Sequence, residues 1–124
     1  MTLKQALQCP YLDEVDEITK IRWLSELDGQ LWADVFQSHE YNYGETVVAE
    51  MPVYTESTDE DTVLLAPPPY DGIYDAYLAM RVDLLNRDTT RYNNSMTVYT
   101  DALSAFSGWY NRTHMPKQPA KMIF

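Results

Sequence analysis

Apolar residues recur at alternating steps of four and three through the last third of the chain, at Tyr92, Met96, Tyr99, Leu103, Phe106 and Tyr110. That spacing puts them on one face of a long helix. Asp88 is placed to cap it, and it should end near Arg112 to His114, ahead of Met115-Pro116. The stripe is aromatic and its surroundings are small or polar. Such a helix can bury one face in its own subunit and offer Asn93, Asn94, Ser95, Ser104 and Ser107 to another chain. The stretch before it, from about Tyr70 or Asp71 to Leu85, carries Ile73, Tyr77, Met80 and Leu84 on one face with Tyr74, Leu78 and Leu85 beside them. Asn86-Arg87-Asp88 breaks the two, which predicts an antiparallel helical hairpin whose aromatic stripes meet. Nearer the start, Ile18, Ile21, Leu24, Leu27, Leu31 and Val35 repeat at three and four, predicting a helix over about 13–37 with a possible interruption at Asp28-Gly29. Trp23, Trp32 and Phe36 widen its apolar face. A short first helix over Thr2 to Gln8 precedes Pro10, with Thr2 as its cap.

Residues 38–69 follow another pattern. Thr46-Val47-Val48 and Pro52-Val53-Tyr54-Thr55 favour β structure, the polar tract Glu56 to Asp61 follows, and Val63-Leu64-Leu65 comes next. The expectation is a long loop or β-hairpin insertion with one or two short strands. Pro67-Pro68-Pro69 predicts an extended, polyproline-like approach to the next helix. Pro116 and Pro119 make 115–124 an extended tail ending in Met122-Ile123-Phe124. The fold class read from this pattern is mainly α: a small helical bundle with a long helical hairpin, in a single domain over 1–124.

Charge adds an asymmetry. Residues 1–61 hold fourteen acids and three bases, whereas residues 62–124 hold five acids and six bases, giving net charges of -11 and +1. No acid follows Asp101, while Arg112, Lys117 and Lys121 remain, so the C-terminal end is locally basic. Opposite fields at two ends favour head-to-tail association or two different partners; a solvated acidic face that keeps the protein soluble would produce the same asymmetry. The single cysteine, Cys9, forms no intramolecular disulfide, and the N-terminal residues lack the pattern of an export signal, so a reducing, intracellular setting is expected.

Candidate chemistry is sparse. His39 and His114 have no partners at metal-ligand spacing and read as surface or cap residues. Asp59-Glu60-Asp61 lacks the glycine and distal acid of a calcium loop. Asp71 and Asp75 stand one turn apart, but a helix N-terminus recruits acids for electrostatic reasons alone. Neither a metal nor a cofactor is expected, and the protein is not expected to be an enzyme. Asn93, Asn94 and Ser95 prefer caps to helix interiors, so their place within a helix predicts a hydrogen-bonding role, or side chains that simply face water.

Three blocks together carry a resemblance. These are Ile21-Arg-Trp-Leu-Ser-Glu-Leu-Asp-Gly29, Leu64-Leu-Ala-Pro-Pro-Pro-Tyr-Asp-Gly-Ile-Tyr74, and Arg91-Tyr-Asn-Asn-Ser-Met96 with Trp109-Tyr-Asn-Arg-Thr-His-Met-Pro116. The chain from about 18 to 117 resembles the head-to-tail connector, or adaptor, proteins of tailed bacteriophages and prophages. The resemblance implies a structural, head-completion protein of the virion neck, present in the host cytoplasm during assembly. It would form a homo-oligomeric ring, commonly twelve-fold, beneath the portal protein. The ring would join the portal to a downstream neck or tail protein and leave a DNA channel without binding DNA specifically or touching a membrane.

On this reading Trp23, Leu24, Leu27, Asp28, Tyr70, Tyr74, Tyr92, Asn93, Asn94, Ser95, Trp109 and Tyr110 are subunit or core positions. His114, Met115, Lys117, Lys121, Met122, Ile123 and Phe124 would dock on the portal, and Glu56, Asp59, Glu60 and Asp61 would face the channel. The charge also permits a different class, an acidic DNA mimic that inhibits a host nucleic-acid-binding protein. The weakly charged aromatic C-terminal half argues against it.

Overall fold

The computed structural model describes residues 1–8, 15–45 and 47–115. They form a mainly helical protein with α1 at Leu3–Leu7, α2 at Glu17–Asp34, α3 at Gly72–Leu85 and α4 at Thr89–Thr113, plus a 3-10 turn at Phe36–Ser38. One core, contributed by all four helices and by Tyr54, Leu64 and Ala66 of the connecting segment, holds them together.

Thr2 caps α1 reciprocally. Its Oγ1 accepts from the Gln5 N–H at 3.3 Å, and Gln5 Oε1 accepts from the Thr2 N–H at 2.9 Å. Helix α2 runs through Asp28-Gly29 unbroken, the uninterrupted form of the long helix read from sequence. Gly29 is buried there against Met51: a Cβ built on it would stand 3.3 Å from the Met51 sulfur. The glycine is thus explained by the close approach of the 51–56 segment, not by a break. The apolar face of α2 starts at Ile21, and Ile18 is largely exposed. The helix stops at Asp34, short of the expected Gln37, because the chain tightens into the 3-10 turn. The part of that expectation covering residues 13 and 14 lies outside the described residues.

Helices α3 and α4 pack along their lengths in opposite directions. Near their junction Ser95 Oγ donates to the Asp83 carboxylate; midway Tyr77 and Tyr99 meet edge to face with centroids 5.2 Å apart; at the far end Tyr70, just ahead of α3, stacks on Trp109 at 5.2 Å. Their connection closes with the Arg87 N–H donating to Leu84 O and the Asp88 N–H to Asp83 O, the paired bonds of a Schellman turn. Arg87 takes the left-handed position, φ 56°, where glycine is usual. Asp88 Oδ1 then caps α4 by accepting from the Arg91 N–H at 3.1 Å. Leu84 and Leu85, expected on or beside the apolar face, are exposed because the end of α3 runs past the core.

The expected strands at 46–48 and 52–55 are not formed among the described residues, where an isolated β-bridge joins Thr2 to Val63. A β-favouring run needs a partner strand, and here side chains take the backbone groups a ladder would use. The Val48 N–H donates to Tyr41 OH at 3.1 Å, the Trp32 indole N–H donates to Val48 O at 2.9 Å, and the Tyr54 N–H donates to Ser25 Oγ at 3.1 Å. The tract 56–61 is not a free loop either: the Leu3 and Lys4 N–H groups at the start of α1 donate to Thr62 O and Glu60 O. At Pro67-Pro68-Pro69 the chain turns instead of running extended, with the Tyr70 N–H donating to Pro67 O at 2.8 Å. The Pro68–Pro69 bond is cis. The expected extended tail lies outside the described residues except for Met115.

Candidate functional site

Two buried polar clusters and one open cleft are built on this frame. The first cluster centres on Asp28, fully buried on the inner face of α2. Tyr54 OH donates to Oδ2 at 2.5 Å, the Leu65 N–H donates to the same oxygen at 3.2 Å, and Tyr74 OH donates to Oδ1 at 2.7 Å. Tyr74 OH in turn accepts from the Ala66 N–H at 2.8 Å. One carboxylate therefore ties α2 to α3 and to two separate stretches of the long connection. Burial pushes the Asp28 carboxyl above its ordinary range although the two tyrosines and the Leu65 N–H pull the other way. The Tyr54 and Tyr74 hydroxyls are driven well above the usual phenol range by burial and by the adjacent carboxylate, so they stay protonated as donors.

The second cluster closes the C-terminal end of α4. His114 stacks flat on Tyr110, centroids 3.8 Å apart, and its Nε2 stands 2.9 Å from both carboxylate oxygens of Glu45. His39 meets the Tyr110 ring edge-on at 5.1 Å, its Nδ1 bonded to Val35 O and its Nε2 to Asn111 Oδ1. Asn42 Nδ2 donates to Thr113 O, and the Glu40 N–H donates to Met115 O at 2.7 Å. Both histidines stand at helix ends, His39 capping the 3-10 turn and His114 capping α4, the cap role read from sequence and not the surface one: they are buried, because a stacking ring and paired nitrogens offset their desolvation.

Burial opposes charge on Glu45, but the Asn42 N–H and the His114 ring outweigh it and hold the carboxyl below its ordinary value. With the folded value lowered, the stabilisation is fully present above the unfolded value, about 4.3, and is lost as the pH falls from there through the lowered folded value. Glu45→Gln should therefore lower the melting temperature slightly at pH 7, and the gap to the native protein should narrow as the pH falls below about 4.3 and close once it passes below the lowered folded-state value. A gap that stayed constant would contradict this linkage.

The cleft, about 780 Å³, lies between the outer face of α2 and the 51–56 segment, with Tyr77 and Arg81 of α3 contributing to its lining. Its walls are largely apolar, including Ile18, Met51 and Val53, all well exposed, and Asp34 and Glu56 line it as well. Arg81 is engaged inside, 3.4 Å from Glu26 and 5.2 Å above the Trp23 ring.

Of the positions singled out from sequence, Trp23, Leu24, Leu27, Asp28, Tyr74 and Tyr110 are buried, and Tyr70, Tyr92, Ser95 and Trp109 are partly so. Asn93 and Asn94 face solvent; only Ser95 of that trio makes a bond to α3. Glu56, Asp59, Glu60 and Asp61 are exposed along one turn-rich tract. His114 is buried under Glu45, Met115 is exposed, and Lys117, Lys121, Met122, Ile123 and Phe124 lie outside the described residues. Tyr54, Glu45 and the His39–Asn111 pair were missed. They sit in or against irregular chain, where no periodicity marks a partner. Among the described residues no group of three or more potential ligands is placed to hold a metal ion, and no helix is long and apolar enough to cross a membrane.

Fold and clusters thus define a mainly helical protein whose long connection is fastened by a buried carboxylate and two tyrosines. Comparison with protein-family models, curated proteins and solved structures gives no match.

Proposed function

We propose that this protein is a structural component of a tailed-phage neck, an adaptor that forms a ring under the portal and links it to a downstream neck or tail protein. One observation supports this most: the separate sequence blocks that carry the connector resemblance converge in one packed unit. Asp28 of the first block holds Leu65 and Tyr74 of the second, and Tyr70 of the second stacks on Trp109 of the third. A sequence likeness spread over most of the chain thus corresponds to one three-dimensional arrangement. On this reading the α3–α4 hairpin is the stiff part of the protomer, and the weakly polar outer face of α4, with Asn93 and Asn94, meets a neighbouring subunit. The ring is homo-oligomeric, twelve-fold by resemblance, and DNA passes through it without specific binding. The basic residues beyond His114 dock on the portal, while Glu56, Asp59, Glu60 and Asp61 turn toward the channel, where like charge keeps DNA from adhering.

The test is to tag the protein in cells producing phage and identify what co-purifies by mass spectrometry, for the full chain and for a version ending at His114. Recovery of portal and neck proteins with the full chain, and loss of portal with the shortened one, is the expected result. Recovery of a host nuclease or polymerase, with the protein absent from virions, would replace the adaptor with the acidic DNA mimic.

A further inference from the structure

Tyr43 stands fully exposed at the tip of a turn that is itself held fast. The Glu45 N–H donates to Asn42 O at 3.1 Å and the Asn42 N–H to Glu45 Oε1 at 2.6 Å, with Gly44 at φ 86° in the turn position that favours glycine. Asn42 Nδ2 and the Glu45 carboxylate then fasten the turn to Thr113 O and to His114 at the end of α4. A fixed turn presents its aromatic ring with little freedom left to lose on binding. The cleft beside α2 is the matching hollow. We propose that Tyr43 and its turn insert into the α2 cleft of a second copy of this chain, in a head-to-tail contact between neighbouring subunits.

Three observations carry the proposal. The first is fit. The cleft, about 780 Å³, is several times the roughly 150 Å³ that accommodates one benzene-sized group. Its walls at Ile18, Met51 and Val53 are apolar and well exposed, so a seated ring removes apolar surface from water on both sides.

The second is charge. The chain has no Lys or Arg between Arg22 and Arg81, and the turn is flanked by the acids Glu40 and Glu45. Arg112 of the adjoining helix lies back against Gly108. The cleft offers Arg22, which is exposed and in no ion pair among the described residues. Of the three acids in the lining, Glu26 is engaged with Arg81, Asp34 lies three turns of α2 from Arg22, and Glu56 remains. Arg22 can therefore meet the acidic turn, and a guanidinium over the Tyr43 ring adds a cation–π attraction. The third observation is place. His39 Nδ1 bonds to Val35 O, which fixes the approach to the turn at the C-terminal end of α2. From there back to Arg22 is about 20 Å at the helical rise. Projection and hollow thus face different ends of one molecule, and such a contact is heterologous: it repeats from copy to copy instead of closing as a pair.

The contact rests on the adaptor reading in one respect, its closure into a ring. The pairing itself follows from the chain alone and needs no portal.

The test is sedimentation velocity of the purified full chain over a concentration series, without portal. Growth into assemblies larger than a dimer is expected. Tyr43→Ala and Val53→Asp should each weaken association about tenfold or more, the order expected from losing one buried side chain, with melting temperatures unchanged because both residues are exposed. An equimolar mixture of the two variants should form a dimer and nothing larger, since one supplies only the cleft and the other only the turn. Tyr43→p-benzoylphenylalanine should photo-cross-link to Ile18 or to the 51–56 segment of an isotopically distinct copy. A chain that stays monomeric and gives no such link, association that survives both substitutions, or native growth that stops at a dimer would overturn the proposal. Head-to-tail association with no recovery of portal from phage-producing cells would leave this contact standing and remove the adaptor reading.

Discussion

Asp28→Ala should lower the melting temperature by roughly 10 °C, for a loss of about 3 kcal/mol. The substitution leaves Tyr54 OH, Tyr74 OH and the Leu65 N–H facing an apolar space, each deprived of its acceptor. A buried donor without a partner costs about 1–3 kcal/mol, and relief of the desolvated carboxylate returns part of that. Asp28→Asn should cost less, because its amide oxygen keeps two donors on one side while its amide nitrogen can donate to Tyr74 OH. The pH dependence separates the two effects. Burial raises the folded-state value of Asp28 above that of the unfolded chain. Its favourable contribution is therefore fully present below about 3.9 and is lost as the pH rises through the raised value. Denaturant melts from pH 3 upward should show this decline in the native protein and not in Asp28→Asn. A native protein with no such decline relative to the asparagine variant would mean that Asp28 is not desolvated as described.

The same residue shows what a sequence can and cannot disclose. Periodicity reveals α4 because its buried positions, Tyr99, Phe106 and Tyr110, recur at a helical spacing and need no knowledge of the partner. Capping at Thr2 and Asp88 is equally local. Asp28 could be placed among core positions by resemblance, but its partners Tyr54 and Leu65 lie in irregular chain 26 and 37 residues away. The false strands have a related cause: β propensity reflects cross-strand packing, and no neighbouring strand exists among the described residues to receive Val47 or Val53. His114 looked like a helix-end residue and is one, yet its burial depends on Glu45, 69 positions earlier. The cleft was invisible for the same reason, since it exists only where 51–56 crosses α2.

The second large effect is expected at Phe106. It is fully buried and sits amid four other rings: Phe36 and Tyr70 at 6.3 Å, Trp109 at 6.1 Å and Tyr110 at 6.0 Å between centroids. Phe106→Ala removes the shared neighbour that joins α4 to the 3-10 turn and to the segment entering α3. Large-to-small changes of this kind cost about 3–5 kcal/mol, transfer and cavity together, or roughly 15 °C in melting temperature for a chain of this size. The loss should be greater than at Asp28 because a rigid aromatic cluster cannot collapse far into the space. Near-ultraviolet circular dichroism should weaken as well, since the surrounding rings lose their fixed neighbour. Val98→Ala, on the exposed side of the same helix, should change stability by no more than about 0.5 kcal/mol. If the two variants melted together, α4 would not pack through its aromatic stripe. If only Phe106→Ala fell, that stripe would be the part of α4 that fastens it to the fold, leaving the opposite face free for another subunit.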